Sequence, residues 1–177
     1  MIGWLMNTEK AACFFGHRKI TVTKELKENL YKEIETLIVA NGITTFLFGS
    51  KSQFNDLCLT IVSDLKNKYP SIQRIYVRAE FAYIDEDYKA YLLENYEDTY
   101  FPEKIIGAGK AIYVERNYEM IDKSSVCVVY YDENYLPPRR NQCRRALTDY
   151  QPSSGTKLAF KYALSKNRKI INVFTKD

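Results

Sequence analysis

Residues 11–18 read AACFFGHR and residues 44–52 read TTFLFGSKS, with a long amphipathic stretch between them. Both are short apolar runs, rich in Phe, that stop at a glycine followed by cations or hydroxyls. A run without polar alternation fits a strand covered on both faces, as in the middle of a parallel sheet. The intervening Lys24 to Ala40 places Leu26, Leu30, Ile34, Leu37 and Ile38 on one helical face. Asn41-Gly42 then ends it with residues that tolerate positive φ. Strand, helix, strand in this order predicts a right-handed βαβ unit.

The same rhythm continues outward. Arg74 to Val77, Val126 to Tyr131 and Ile170 to Phe174 read as further buried strands, and Phe54 to Lys68, Lys110 to Lys123 and Thr156 to Lys166 as helices. The alternation predicts an α/β, Rossmann-like three-layer sandwich with a mainly parallel sheet, one domain over residues 1–177. Three stretches break the rhythm. They are the N-terminus, the Tyr-rich and acidic Phe81 to Ile106, and Asp132 to Pro152. The last holds Pro137-Pro138 and Arg139, Arg140, Arg144 and Arg145, and reads as an inserted basic loop, either a lid over a pocket or a solvated excursion.

Composition narrows the function classes. With 177 residues, 46% hydrophobic and 27% charged, and a mean hydropathy of -0.38, the chain has the balance of a water-soluble globular domain. The net charge of +4 suits an anionic ligand. It falls short of the concentrated basic stripe of a dedicated nucleic-acid binder. One histidine and four cysteines without CxxC spacing argue against a protein-held metal, and no cofactor is expected. Cys13, Cys58 and Cys127 lie inside apolar runs and read, with Cys143 apart, as reduced thiols of a cytoplasmic protein. The apolar Met1 to Met6 is too short for a signal peptide. No apolar run approaches the length, about 20 residues, of a membrane-spanning helix.

In an open parallel sheet, ligands sit beyond the carboxyl ends of the strands, where helix N-termini offer free N–H groups to an anion. The loops expected there are Gly16-His17-Arg18-Lys19, where a tight turn brings up two or three cations, and Gly49-Ser50-Lys51-Ser52, with hydroxyl and ammonium donors. Arg78 and Glu80 follow the third strand and read as an ion pair. Ser153-Ser154-Gly155-Thr156 precedes the last helix and combines hydroxyls with a glycine. Each has a plainer role as well, as a turn, a helix cap or a solvated pair. Glu115-Arg116-Asn117 lies on the helix before Val126 to Tyr131, with Met120 and Ile121 expected to face the core.

Taken together, Glu115 to Thr156 resembles the SLOG superfamily. That group includes the Lonely Guy cytokinin-activating nucleotide hydrolases and the DNA-processing protein A domain. Those hydrolases carry a Glu-Arg-Lys-x-x-Met helix, an apolar strand, and a Pro-Gly-Gly-x-Gly-Thr-x-x-Glu loop and helix. Glu115, Arg116 and Met120 match the first motif, Val126 to Tyr131 the strand, and Gly155-Thr156 the end of the loop. The segment Cys13 to Arg18 is similar to the Cys-Phe-Phe-Gly-His-Arg opening of a bacterial SLOG subgroup. That likeness extends to Phe48-Gly49-Ser50 and Tyr76-Val77-Arg78-Ala79-Glu80. Where the hydrolases place a catalytic glutamate, three residues beyond the threonine, this chain has Ala159.

The resemblance implies a phosphorylated, ribose-containing ligand, ADP-ribose-like or another nucleotide, bound by a sensor or sequestering module such as those of bacterial conflict systems. Gly16, His17, Arg18, Gly49, Ser50, Lys51, Arg78, Arg116, Asn117, Ser153, Ser154, Gly155 and Thr156 are then the ligand-binding candidates. An N-glycosidic-bond hydrolase acting on nucleoside 5′-monophosphates is the alternative, with Glu80, Glu115 and Arg116 as catalytic candidates in place of the missing acid. A single-stranded-DNA factor comes last. The aromatic-rich Tyr83 to Phe101 segment, if exposed, suggests a homodimer.

Overall fold

The computed structural model describes residues 6–136 and 154–176. The expected basic loop, with Ser153 and Cys143, falls largely outside them. Six parallel strands form one sheet: β1 (Ala11–Gly16), β2 (Thr45–Phe48), β3 (Gln73–Val77), β4 (Asp98–Tyr100), β5 (Val126–Tyr130) and β6 (Lys169–Asn172), in the spatial order β4-β3-β2-β1-β5-β6. Among the described residues five α-helices connect them: α1 (Lys24–Val39), α2 (Gln53–Lys68), α3 (Glu86–Leu93), α4 (Ile112–Asp122) and α5 (Gly155–Ser165). The Rossmann-like sandwich read from the sequence is the observed fold.

Alternation along the strands divides two apolar layers. Ala12, Phe14, Phe46, Phe48, Val126 and Val128 pack with Leu30 and Ile34 of α1 and Phe54, Cys58 and Val62 of α2. On the other face Cys13, Phe15, Leu47, Val77, Cys127 and Val129 pack with Met120 and Ile121 of α4 and Ala159 and Ala163 of α5. Both faces of the central strands are therefore covered, which is why those strands read as unbroken apolar runs.

Register brings Cys13 opposite Cys127. Their sulfurs stand 3.6 Å apart as buried free thiols, although 114 residues separate them. From β1 the chain steps outward to β4, and α4 carries it back to β5 on the far side of β1. This reversal sets the topological switch point between β1 and β5, where open α/β sheets place their ligand crevice.

The Phe81 to Ile106 stretch corrects the sequence reading. It contains α3 and the edge strand β4, neither of which was expected. The helix has eight residues, of which only Leu92 is buried. The strand has three, all half-buried, so neither shows a clean apolar period. Strand β4 joins the sheet through register, Ile75 opposite Asp98, and through a guanidinium clamp. Arg74 donates from Nη2 to Glu97 Oε1 at 2.7 Å and from Nε to Oε2 at 3.2 Å. The rings of this stretch also divide. Tyr96 and Tyr100 pack onto the two cores, whereas Phe81, Tyr83 and Tyr91 are exposed.

Candidate functional site

Because every strand is parallel, the segments following Gly16, Phe48, Val77 and Tyr130 emerge at one edge of the sheet, where α2 and α5 begin. Four sequence-expected groups therefore share that edge: the residues after Gly16, those after Gly49, those after Val77, and the start of α5. The fifth, Glu115-Arg116-Asn117, lies in the first half of α4 and reaches the same edge through one side chain.

That side chain is Arg116, which the structure buries to 3% exposure. Its Nη1 donates to the Gly49 carbonyl and, at 3.3 Å, to that of Val77. Its Nε donates to Asn117 Oδ1 at 3.0 Å. It thus spans the ends of β2 and β3. The space exists because residue 49 is glycine. A Cβ there would stand 2.8 Å from Arg116 Cδ and Nε and 2.8 Å from Met120 Sδ. Burial pushes the Arg116 pKa down to about 10, against the pull of the nearby Tyr76, Tyr113 and Glu80. It remains a cation at neutral pH. Among the described residues it has no carboxylate ion-pair partner. Nothing in the triplet itself announced this burial, since charged triplets on helices are usually solvated.

At the end of β1 a second close approach recurs. A Cβ on Gly16 would lie 2.5 Å from the Phe54 ring, which crosses the strand end. The next residue, His17, decides between the two and three cations expected of this loop in favour of two. Its ring is buried and stacks on Tyr135 with centroids 3.9 Å apart. The Asp132 N–H donates to Nε2 at 2.9 Å. Burial lowers the pKa of the imidazole from 6.5, outweighing the opposing influence of Asp132. With Nε2 accepting, a neutral ring carries its proton on Nδ1, a buried atom without a partner among the described residues. His17 is therefore a neutral donor. Arg18 and Lys19 are exposed, and the Arg18 carbonyl accepts from Gln53 N at 2.9 Å, which ties the loop to α2.

After β2, capping and the polar cluster coincide. Ser52 is the N-cap of α2, accepting from Asn55 N at 3.1 Å, while Ser50 Oγ donates to Ser52 Oγ at 2.9 Å. Asn55 Nδ2 donates to Ser50 Oγ at 3.3 Å, and its buried Oδ1 has no partner among the described residues. Sequence reading passed over Asn55, one turn inside a helix, where nothing marks an amide as buried.

The expected Arg78–Glu80 pair does not form. Glu80 pairs with Lys51 at 3.1 Å, across the two loops. Arg78 turns back on its own loop, donating from Nη1 to the carbonyls of Phe81 at 2.9 Å and Ala82 at 3.3 Å.

At α5, Ser154 Oγ accepts from Lys157 N at 3.1 Å, Gly155 is exposed and Thr156 is buried. Ala159 lies in the core against the sheet. Glu115 is half-buried in the first turn of α4. Two open surface hollows lie elsewhere. One of about 790 Å³ runs between α1 and α2, past Tyr31 and Leu57. The other, of about 460 Å³, lies beside Lys104 and Glu119. Among the described residues no three His, Cys, Asp or Glu side chains group as metal ligands would, and no helix is long and apolar enough to cross a membrane. No protein-family model matches the chain, and no curated protein matches it.

Proposed function

We propose that the carboxyl edge of the sheet binds the phosphate of a nucleotide or nucleotide-derived small molecule, ADP-ribose-like in chemistry, as a sensing or sequestering module of the SLOG type. The observation that carries this reading is Arg116, a buried guanidinium whose hydrogen-bond acceptors among the described residues are two backbone carbonyls and an amide oxygen, all neutral. A buried cation is strongly stabilised by an anion, and a charge-assisted Arg–phosphate contact is among the stronger polar interactions in proteins. Two further buried polar atoms at the same edge, His17 Nδ1 and Asn55 Oδ1, have no partner among the described residues. Such atoms call for an explanation, and a polar ligand supplies one. The thiols of Cys13, Cys58 and Cys127, free and buried, fit a reducing, cytoplasmic setting.

Binding is preferred to cleavage of an N-glycosidic bond. Ala159 is packed in the core at the position of the family's acid, and the Glu80 carboxylate is engaged by Lys51. Calorimetry with nucleoside monophosphates, ADP-ribose and cyclic ADP-ribose isomers tests the reading. At least one is expected to bind below the millimolar range, and Arg116→Met to weaken it by roughly tenfold or more. Absence of binding across the panel removes the proposal. Release of free base from a nucleoside monophosphate would replace it with the hydrolase.

A further inference from the structure

On the far side of the sheet from α5, the chain between β3 and β4 carries a different chemistry. Between Glu80 and Asp98 seven carboxylates stand against one lysine, Lys89, in a chain whose net charge is +4. Into this acidic stretch the fold sets exposed rings: Tyr83 is 94% exposed, Tyr91 61% and Phe81 56%. They are not scattered. Phe81 meets Tyr88 edge to face at 6.3 Å, and Tyr88 lies near-parallel to Tyr91 at 6.2 Å. Arg78 fixes the start of the row by holding the Phe81 and Ala82 carbonyls.

The carboxylates flank the rings by helical spacing. Asp87, Tyr91 and Glu94 stand at i, i+4 and i+7 and so share one side of α3 and its C-cap. Glu86, Asp87 and Glu94 are exposed, and none has an ion-pair partner among the described residues. Asp85, Glu86 and Asp87 sit at the helix N-terminus, where the backbone dipole favours negative charge and stability alone accounts for them. Glu94 does not share that explanation. It occupies the C-cap, where the dipole disfavours an anion.

We infer that the Phe81–Tyr88–Tyr91 row with Asp87 and Glu94 is a docking surface for an arginine-bearing basic polypeptide segment. A guanidinium laid on a tyrosine face is attracted by the ring, and its planar edge matches a flanking carboxylate. Aromatic rings are the anchors that interface cores favour. A second copy of this chain fits less well, because a two-fold pairing through this patch would set the two acidic stretches against each other. The surface is separate from the proposed phosphate site and stands without it.

Fluorescence anisotropy with labelled oligo-arginine and oligo-lysine peptides of equal length is the test, using the full chain. Oligo-arginine is expected to bind several-fold more tightly than oligo-lysine. Tyr91→Ser should reduce arginine binding by roughly threefold to fivefold while changing lysine binding little. Asp87→Asn with Glu94→Gln should weaken both peptides. These side chains are exposed, so an unchanged thermal melt in each variant shows that folding is not the cause. Equal affinity for the two peptides, absence of binding, or a Tyr91→Ser variant that binds oligo-arginine as well as the parent overturns the inference. A dimer in light scattering that Tyr91→Ser abolishes also overturns it, in favour of a second copy.

Discussion

Two arginines bridge strand ends in this molecule, and they are held in opposite ways. At the amino end of β3, Arg74 grips Glu97 with two guanidinium nitrogens and donates from Nη1 to Ser63 Oγ at 2.8 Å. Lys66 adds a second cation on Glu97 at 3.4 Å. At the carboxyl end of the sheet, Arg116 is more deeply buried, and its hydrogen-bond acceptors among the described residues are neutral oxygens. The first arrangement is complete as it stands and ties β4 to the sheet. The second has no carboxylate ion-pair partner among the described residues and lies at the carboxyl edge of the sheet. The contrast separates an ion-paired arginine from one held by neutral acceptors.

The largest effect is expected where the charge is already balanced. Arg74→Met leaves Glu97 with Lys66 as its remaining cation and should destabilise the fold by roughly 2–3 kcal/mol in denaturant titration. Gly49→Ala comes next, at about 1–3 kcal/mol, because its Cβ displaces either Arg116 or Met120 from a packed position. Arg116→Met should change stability by about 1 kcal/mol or less, since relief from burying a charge offsets the lost carbonyl bonds. If it costs more than Arg74→Met, Arg116 is a structural residue and the contrast fails.

A pH effect sharpens the same comparison, because His17 belongs to the carboxyl edge of the sheet, as Arg116 does, and is held neutral. Burial sets its folded-state pKa below 6.5. Below pH 6.5 the unfolded chain therefore binds a proton that the folded chain refuses. The stability contribution is fully present above 6.5 and is lost as pH falls toward the folded-state value. Urea melts taken at intervals between about pH 7 and pH 5 should show this decline, and His17→Gln should flatten it. An identical slope in the variant would assign the decline to other groups.

The smallest effect concerns the start of α5. A Cβ on Gly155 meets nothing within 4 Å, so Gly155→Ala should alter stability by about 0.5 kcal/mol or less. A loss of nucleotide affinity in this variant, with stability preserved, would place the ligand against the α5 N-terminus. Unchanged affinity would confine it to the Arg116 side of the edge.

Much of this architecture was legible in local pattern. The runs at 11–15, 44–48 and 126–131 each identified a strand, because a strand covered on both faces must be apolar throughout. The 3.6-residue spacing of Leu26, Leu30, Ile34 and Leu37 identified α1, and all four are buried. Gly16 and Gly49 stood out as glycines at strand ends, and both are closely approached by side chains. The stretch from Phe81 to Ile106 was illegible for the complementary reason. Its eight-residue helix and three-residue strand bury too little to impose a period, and its tyrosines serve the core and the surface alike. At the site, residue types were found but their states were not. The loop read as carrying two or three cations carries two, since His17 is a buried neutral ring, and Glu80 belongs to Lys51 and not to Arg78.

The sequence alone determined the class of fold and the edge at which its loops gather, since both follow from the alternation of strand and helix periods along neighbouring residues. The tertiary structure alone decided that Arg116 is buried against Gly49, that Asn55 lies buried beneath the cap of α2, and that two thiols 114 residues apart stand 3.6 Å from each other. Periodicity is a property of adjacent residues. Burial and charge balance are set by groups far apart in the chain, which meet only once the sheet has formed.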